Sequence, residues 1–218
     1  MQGGLAPAGP VAAEIESLWW LMFWLGLAVF AVFAGALAHA VWRGRREREE
    51  RGGVAGIPAE EPAESLRFVR GSIIGLGVVM NGAVLLVVLV ATVLAMRAIP
   101  DRADAAGLTL DLEARQFAWR ATYPNGATTD GEVRIPAGEP VALRLTSADV
   151  IHSFWVPALA GKLDALPDGV STLVLQADEP GTYRGQCAEF CGLHHAGMEV
   201  RVVAMPPAEF ARWLERQA

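Results

Sequence analysis

The chain has 218 residues, 53% of them hydrophobic, a mean hydropathy of +0.32 and a formal net charge of −6. That length allows one or two domains, and that hydropathy argues against a wholly water-soluble protein and for membrane-crossing segments. The 23 glycines and 13 prolines fit a loop-rich β domain elsewhere in the chain, and Lys162 is the one lysine among 18 basic residues.

Residues 1–17 contain no lysine or arginine and include Ala6-Pro-Ala-Gly-Pro10, an extended or turn stretch, and read as an external segment. Leu18 to Trp42 then runs 25 residues with no formal charge except titratable His39. As a helix this is about 37 Å long, enough to cross a bilayer with some tilt. Its basic cluster follows the apolar run, the reverse of a cleavable signal peptide. Trp19, Trp20 and Trp24 near one end and Trp42 near the other suit the membrane interfaces.

Residues 43–70 form a cytoplasmic loop with seven arginines. Glu47, Glu49 and Glu50 interrupt the basic cluster, which excludes a nucleic-acid partner and leaves positive-inside retention as its role. Gly52 to Glu64 is a Gly, Pro, Ala and Glu-rich linker. Residues 71–97 return the chain across the membrane, with Gly71, Gly75, Gly77 and Gly82 for close helix packing and Asn81 facing protein rather than lipid. Both termini then lie on the periplasmic or outer side of a bacterial inner membrane, in contact with lipid along both helices.

From Asp101 the pattern changes to short strands: Leu108–Glu113, Phe117–Tyr123, Glu132–Ile135, Val141–Leu145, Thr172–Leu175 and Val200–Val203. Turn signals such as Pro124-Asn-Gly126 and Glu179-Pro-Gly181 separate them, as in a sandwich or barrel. Residues 101–205 form this domain, and 206–218 a terminal helix opened by Pro206-Pro207.

The chemistry is concentrated in Gly185-Gln-Cys-Ala-Glu-Phe-Cys-Gly-Leu-His-His-Ala-Gly-Met198, which reads as a loop. Its thiols, imidazoles and thioether are soft to borderline ligands of the kind that select copper or iron–sulfur chemistry. The same run also admits a disulfide, or half of a zinc site. A copper site needs a further nitrogen, and His152, in the strand-like Asp149-Val-Ile-His-Ser-Phe-Trp-Val-Pro157, is the candidate.

His152 with Cys187-x-Glu189-x-Cys191-x-x-x-His195-x-x-Met198 resembles the binuclear copper A site of cytochrome c oxidase subunit II, over nearly the whole chain. The resemblance implies a two-helix transmembrane hairpin followed by an all-β cupredoxin-like Greek-key barrel. It implies two copper ions bridged by Cys187 and Cys191, with His152 and His195 as nitrogen ligands, Met198 as a weaker ligand and Glu189 through its carbonyl. Spacing places His195 rather than His194 on the metal. Glu189 also inherits a magnesium contact at the border with subunit I, and haem belongs to that partner subunit alone. Phe154, Trp155, Phe190 and Leu193 are the expected apolar shell.

The resemblance further implies a function: accepting electrons from cytochrome c and passing them to haem in subunit I of a multi-subunit oxidase that reduces oxygen and pumps protons. The copper A subunit of a nitric oxide reductase and a membrane-anchored copper carrier are the alternatives. The family's aromatic residue for incoming electrons corresponds to Phe117 in Gln116-Phe-Ala-Trp119, with Trp119 beside it. The family's proton-path glutamate has no counterpart between Ser65 and Met96, and Glu64 lies just outside. The wording of the chain is closest to the bacterial caa-like branch without its fused cytochrome c domain, since Cys-x-x-Cys-His is missing; a separate cytochrome donor is expected. Residues 101–218 carry 16 acidic and 10 basic side chains, whereas the first 100 balance, so the outer domain is the expected dock for a basic cytochrome c.

Overall fold

The computed structural model describes residues 5–50, 70–98 and 106–217. The linker at Gly52–Glu64, Glu64 itself, and the start of the outer domain at Asp101 lie outside the described residues. The chain divides into two compact units, Leu18–Met96 and the rest, Met1–Ser17 with Arg97–Ala218.

The first unit holds most of each apolar helix. Helix α1 spans Pro10–Glu50, and helix α2 spans Asn81–Ala98. α1 starts at Pro10, where a missing N–H costs nothing, and outlasts the uncharged run at both ends. α1 and the helical run Arg70–Arg97, which contains most of α2, are long and apolar enough to cross a membrane, and their apolar windows are not buried among the described residues. Trp19, Trp20, Phe23 and Trp24 make a ring ladder, with Trp19 stacked on Phe23 at 5.5 Å.

α2 is preceded by a π-helical stretch, Ile73–Met80. This widened turn loosens the usual carbonyl pairing, and Asn81 Nδ2 donates to the carbonyl of Gly77 at 2.9 Å. Asn81, which the sequence places facing protein rather than lipid, thus has one partner within its own helical run.

The second unit is built from ten strands: β1 Leu108–Arg115, β2 Ala118–Thr122, β3 Thr128–Asp130, β4 Glu132–Pro136, β5 Val141–Ser147, β6 His152–Trp155, β7 Leu163–Ala165, β8 Ser171–Leu175, β9 Gly181–Cys187 and β10 Glu199–Met205. They form two five-stranded sheets, ordered β3-β2-β1-β5-β8 and β4-β10-β9-β6-β7. β1 runs parallel to β5 and β4 parallel to β10, while the other neighbours are antiparallel. The result is the cupredoxin-like β-sandwich.

Alternation explains the core. Leu110, Leu112 and Ala114 of β1, Leu143 and Leu145 of β5, and Val200 and Val202 of β10 point inward, with Asp111, Arg144 and Arg201 outward. The last helix, α3 (Pro207–Glu215), buries Phe210 and Trp213, with Trp213 edge-on to Tyr123 at 4.9 Å. The amino-terminal residues also belong to this unit. Ala8 N–H donates to Ala158 O at 2.7 Å, and Asp178 N–H donates back to Ala8 O at 2.9 Å. Gly9 sits between them, where a Cβ would lie 2.2 Å from Gln176 O.

One expectation is corrected. Gly185 to Cys187 is not loop but the end of strand β9, whose buried face is Tyr183, Gly185 and Cys187. Gly185 is there for close approach, not for a turn: a Cβ would stand 2.7 Å from both Trp155 O and Val156 Cγ2, and 2.8 Å from Val200 Cγ1. Gly185→Ala should therefore overpack the β6–β9–β10 junction and cost about 1–3 kcal/mol, read as a lowered thermal midpoint of the full chain in detergent. An unchanged midpoint would show that this approach is not tight.

Candidate metal centre

The β6–β9 pair is the base of the centre. Phe154 lies opposite Cys187, so His152, two residues before Phe154 on the same strand face, comes next to Cys187 although 35 residues separate them. Ala188 N–H donates to Ser153 O at 2.9 Å and extends the pairing beyond the strand. The chain then turns and returns, closed by Cys187 N–H to Met198 O at 2.9 Å, with a short 3₁₀ turn at His195–Gly197 between.

This path gathers the donors. Cys187 Sγ lies 3.9 Å from Cys191 Sγ, 3.9 Å from His152 Nδ1 and 3.2 Å from the carbonyl oxygen of Glu189. Cys191 Sγ lies 3.6 Å from His195 Nδ1 and 3.8 Å from Met198 Sδ. Both cysteines are free, and their separation is almost twice a disulfide bond length. His152, Cys187 and Cys191 each offer a ligand atom within 4.8 Å of the others. Cys187 thus has an imidazole nitrogen and a carbonyl beside it, and Cys191 has the other imidazole nitrogen and the thioether. The donor set is soft, unlike the all-oxygen cages of calcium and magnesium.

Burial sets the electrostatics. His152 is fully buried, the two thiols are 4% exposed and Met198 is 1% exposed. Burial, with Cys187 close by, pushes the Cys191 thiol up to about 11. His152 Nε2 contacts Asp149 Oδ1 at 2.8 Å, which leaves Nδ1 toward the thiols. Burial works against the Asp149 charge, yet the N–H groups of Gln116 and Val150 and the His152 ring hold its carboxyl below the usual carboxylate range.

The remaining sequence candidates divide. Trp119 is buried, edge-on to His152 at 6.1 Å and to Phe154 at 5.4 Å. Phe117 is half-buried and meets the ring of exposed His194 at 5.4 Å. Glu189 is half-buried, its carbonyl rather than its carboxylate turned to Cys187. Of the expected apolar shell, Phe154 is fully buried and Trp155 half-buried. Phe190 and Leu193 are 75% and 97% exposed, because they occupy the outer side of the turn whose inner side carries the donors. Asp149 and Gln116 were not singled out as functional. The signal for each was its place in a segment that carries the resemblance, Asp149 in Asp149-Val-Ile-His-Ser153 and Gln116 in Gln116-Phe-Ala-Trp119.

A sequence model of the family described as "Cytochrome C oxidase subunit II, periplasmic domain" matches residues 109–205. The chain is 44% identical over 107 residues to cytochrome c oxidase subunit 2 of Alkalihalophilus pseudofirmus, which covers 49% of this chain and 31% of that one. It is 32% identical over 155 residues to cytochrome c oxidase subunit 2 of Branchiostoma floridae, covering 61% of this chain and 67% of that one. Among solved structures, the periplasmic domain of subunit II of cytochrome oxidase of Bradyrhizobium japonicum matches at 30% identity and a TM-score of 0.49, covering 51% of this chain and 94% of that one. The matched segment spans about a third of the length of the first curated relatives.

A thiol held up at about 11 stays protonated at neutral pH, so metal capture must displace its proton. Raising the pH from 6 to 8 should strengthen apparent copper affinity about tenfold per unit for each thiol proton displaced, measured against a competing chelator. A flat profile would contradict this picture of Cys191.

Proposed function

The chain belongs to the cytochrome c oxidase subunit II family, and from this premise we propose that it is the electron-accepting subunit of a haem-copper oxidase. It takes electrons from cytochrome c at a copper A centre and delivers them to haem in subunit I, where oxygen is reduced and protons are pumped. The observation that carries the reading is the pair of free, buried thiols 3.9 Å apart with one imidazole nitrogen beside each.

In this reading Cys187 and Cys191 would hold the metals as thiolates, with His152 and His195 supplying one nitrogen each, Met198 a thioether and Glu189 its carbonyl. Two copper ions held here would supply a one-electron relay in which no single bond changes much. The chain's own contribution is to hold the donors fixed and to keep water out. Fully buried His152 and Phe154 and nearly buried Met198 do the second; Asp149 fixes the ring of His152. The Glu189 carboxylate is assigned to a magnesium shared with subunit I. A freely exchanging copper carrier fits less well, because its ligands would be exposed.

Electrons are proposed to enter past Phe117. Its ring is half-buried at the surface, and a Cβ on Gly192, the residue after Cys191, would lie 3.1 Å from it. Trp119 is proposed as core behind His152. The net negative outer domain is the dock for a basic cytochrome c.

The localisation is proposed as a bacterial inner membrane, crossed twice. Residues 5–17 pack in the same unit as the outer domain, so the start of α1 and that domain share one side. Arg43, Arg45, Arg46 and Arg48 hold the opposite end of α1 in the cytoplasm. Lipid and the other oxidase subunits cover the apolar helix faces.

Stopped-flow reduction tests the role. The copper-loaded full chain, mixed with reduced basic cytochrome c, should be reduced in a second-order phase that slows at least tenfold from low to high salt. Absence of reduction would contradict the electron-transfer role, and a salt-independent rate would contradict the acidic dock.

A further inference from the structure

The turn between β1 and β2 touches both halves of the donor cluster. Gln116 main-chain N–H donates to Asp149 Oδ2 at 2.7 Å, and the same residue's side-chain amide donates to the carbonyl oxygen of Cys191. The first bond reaches the His152 side, because Asp149 Oδ1 meets His152 Nε2 at 2.8 Å. Ala148 N–H to Ala114 O, at 2.9 Å, joins the same two segments one step further back. The second bond reaches the cysteine side. Within the turn after Cys191 the bonds are short-range: His195 N–H to Gly192 O at 3.1 Å and Gly197 N–H to His194 O at 3.0 Å.

The backbone is shaped to receive this amide. Gly192 has φ +138°, in the region that favours glycine, and a Cβ there would lie 2.9 Å from Gln116 Nε2. A side chain at residue 192 would push Gln116 off the Cys191 carbonyl. The amide orientation follows from the acceptor, since a peptide carbonyl can only accept.

We propose that Gln116 is a positioning residue of the metal centre, tying the Cys191 peptide to the β5–β6 connection that carries Asp149 and leads into His152. It touches no donor atom itself. Through the peptide it sets where the Cys191 thiol stands relative to His152. The spectroscopic part of this inference rests on the copper reading above; the structural part does not.

Gln116→Met in the full chain keeps the side-chain length and removes the donor. Arg115→Ala, on the same turn but paired outward to Glu113, is the control. In the metal-free protein, alkylation of Cys191 should become about fivefold faster, the worth of one ordinary hydrogen bond, with Cys187 within twofold and the thermal midpoint little changed. In the copper-loaded protein, the hyperfine pattern and reduction potential should shift, and copper should leave to a chelator about tenfold faster. The proposal is overturned if Gln116→Met alkylates like the parent, if its alkylation rises but the copper spectrum is unmoved, or if Arg115→Ala reproduces the changes. A parent chain that takes up no copper sinks the electron-transfer reading instead, and the alkylation rates then decide the role of Gln116 alone.

Discussion

The antiparallel pairing of β6 with β9 is the constraint on which the metal centre depends. It sets Phe154 opposite Cys187 and so puts His152 and Cys187 on one buried face. A one-residue slip would put Cys187 and His152 on opposite faces of the sheet. The pairing is tight because residue 185 is glycine, which lets β9 approach the Trp155 carbonyl and Val156. From that base the chain makes one excursion, Ala188 to Gly197, and the Cys187 N–H to Met198 O bond closes it. Donors scattered from residue 152 to residue 198 are thereby brought to one place by backbone hydrogen bonds.

Burial then decides what the donors can be. A thiol removed from water resists losing its proton, and Cys191 beside Cys187 resists more. A bound cation reverses that preference by supplying the missing opposite charge. His152 is prepared differently: Asp149 takes one ring nitrogen and leaves the other toward the sulfurs. The Asp149 carboxylate is itself held by the N–H groups of Gln116 and Val150, so the orientation of the imidazole traces back to main-chain geometry.

The candidate donors were singled out from the sequence because their spacing and softness are local properties. So were the apolar helices and most strands, whose patterns repeat every few residues. β9 was hidden because Gly181 and Gly185 look like turn signals, whereas Gly185 serves close packing, a property of the neighbouring strand. The exposure of Phe190 and Leu193 was hidden too, since hydrophobicity alone does not say which side of a turn a residue takes. The bond from Asn81 to Gly77 reaches into a π-helical stretch that composition does not announce. Gln116 acts across 75 residues on a backbone atom, and nothing in the Cys191 side of the sequence encodes such a contact.

The central claim is that these donors form one centre for two metal ions. The direct measurement is copper stoichiometry with the electron paramagnetic resonance spectrum of the copper-loaded full chain in detergent. Two coppers per chain and a seven-line mixed-valence signal, from one unpaired electron shared over both nuclei, are the expected result. One copper with a four-line signal, or a single zinc held by the two cysteines and two histidines, would contradict it.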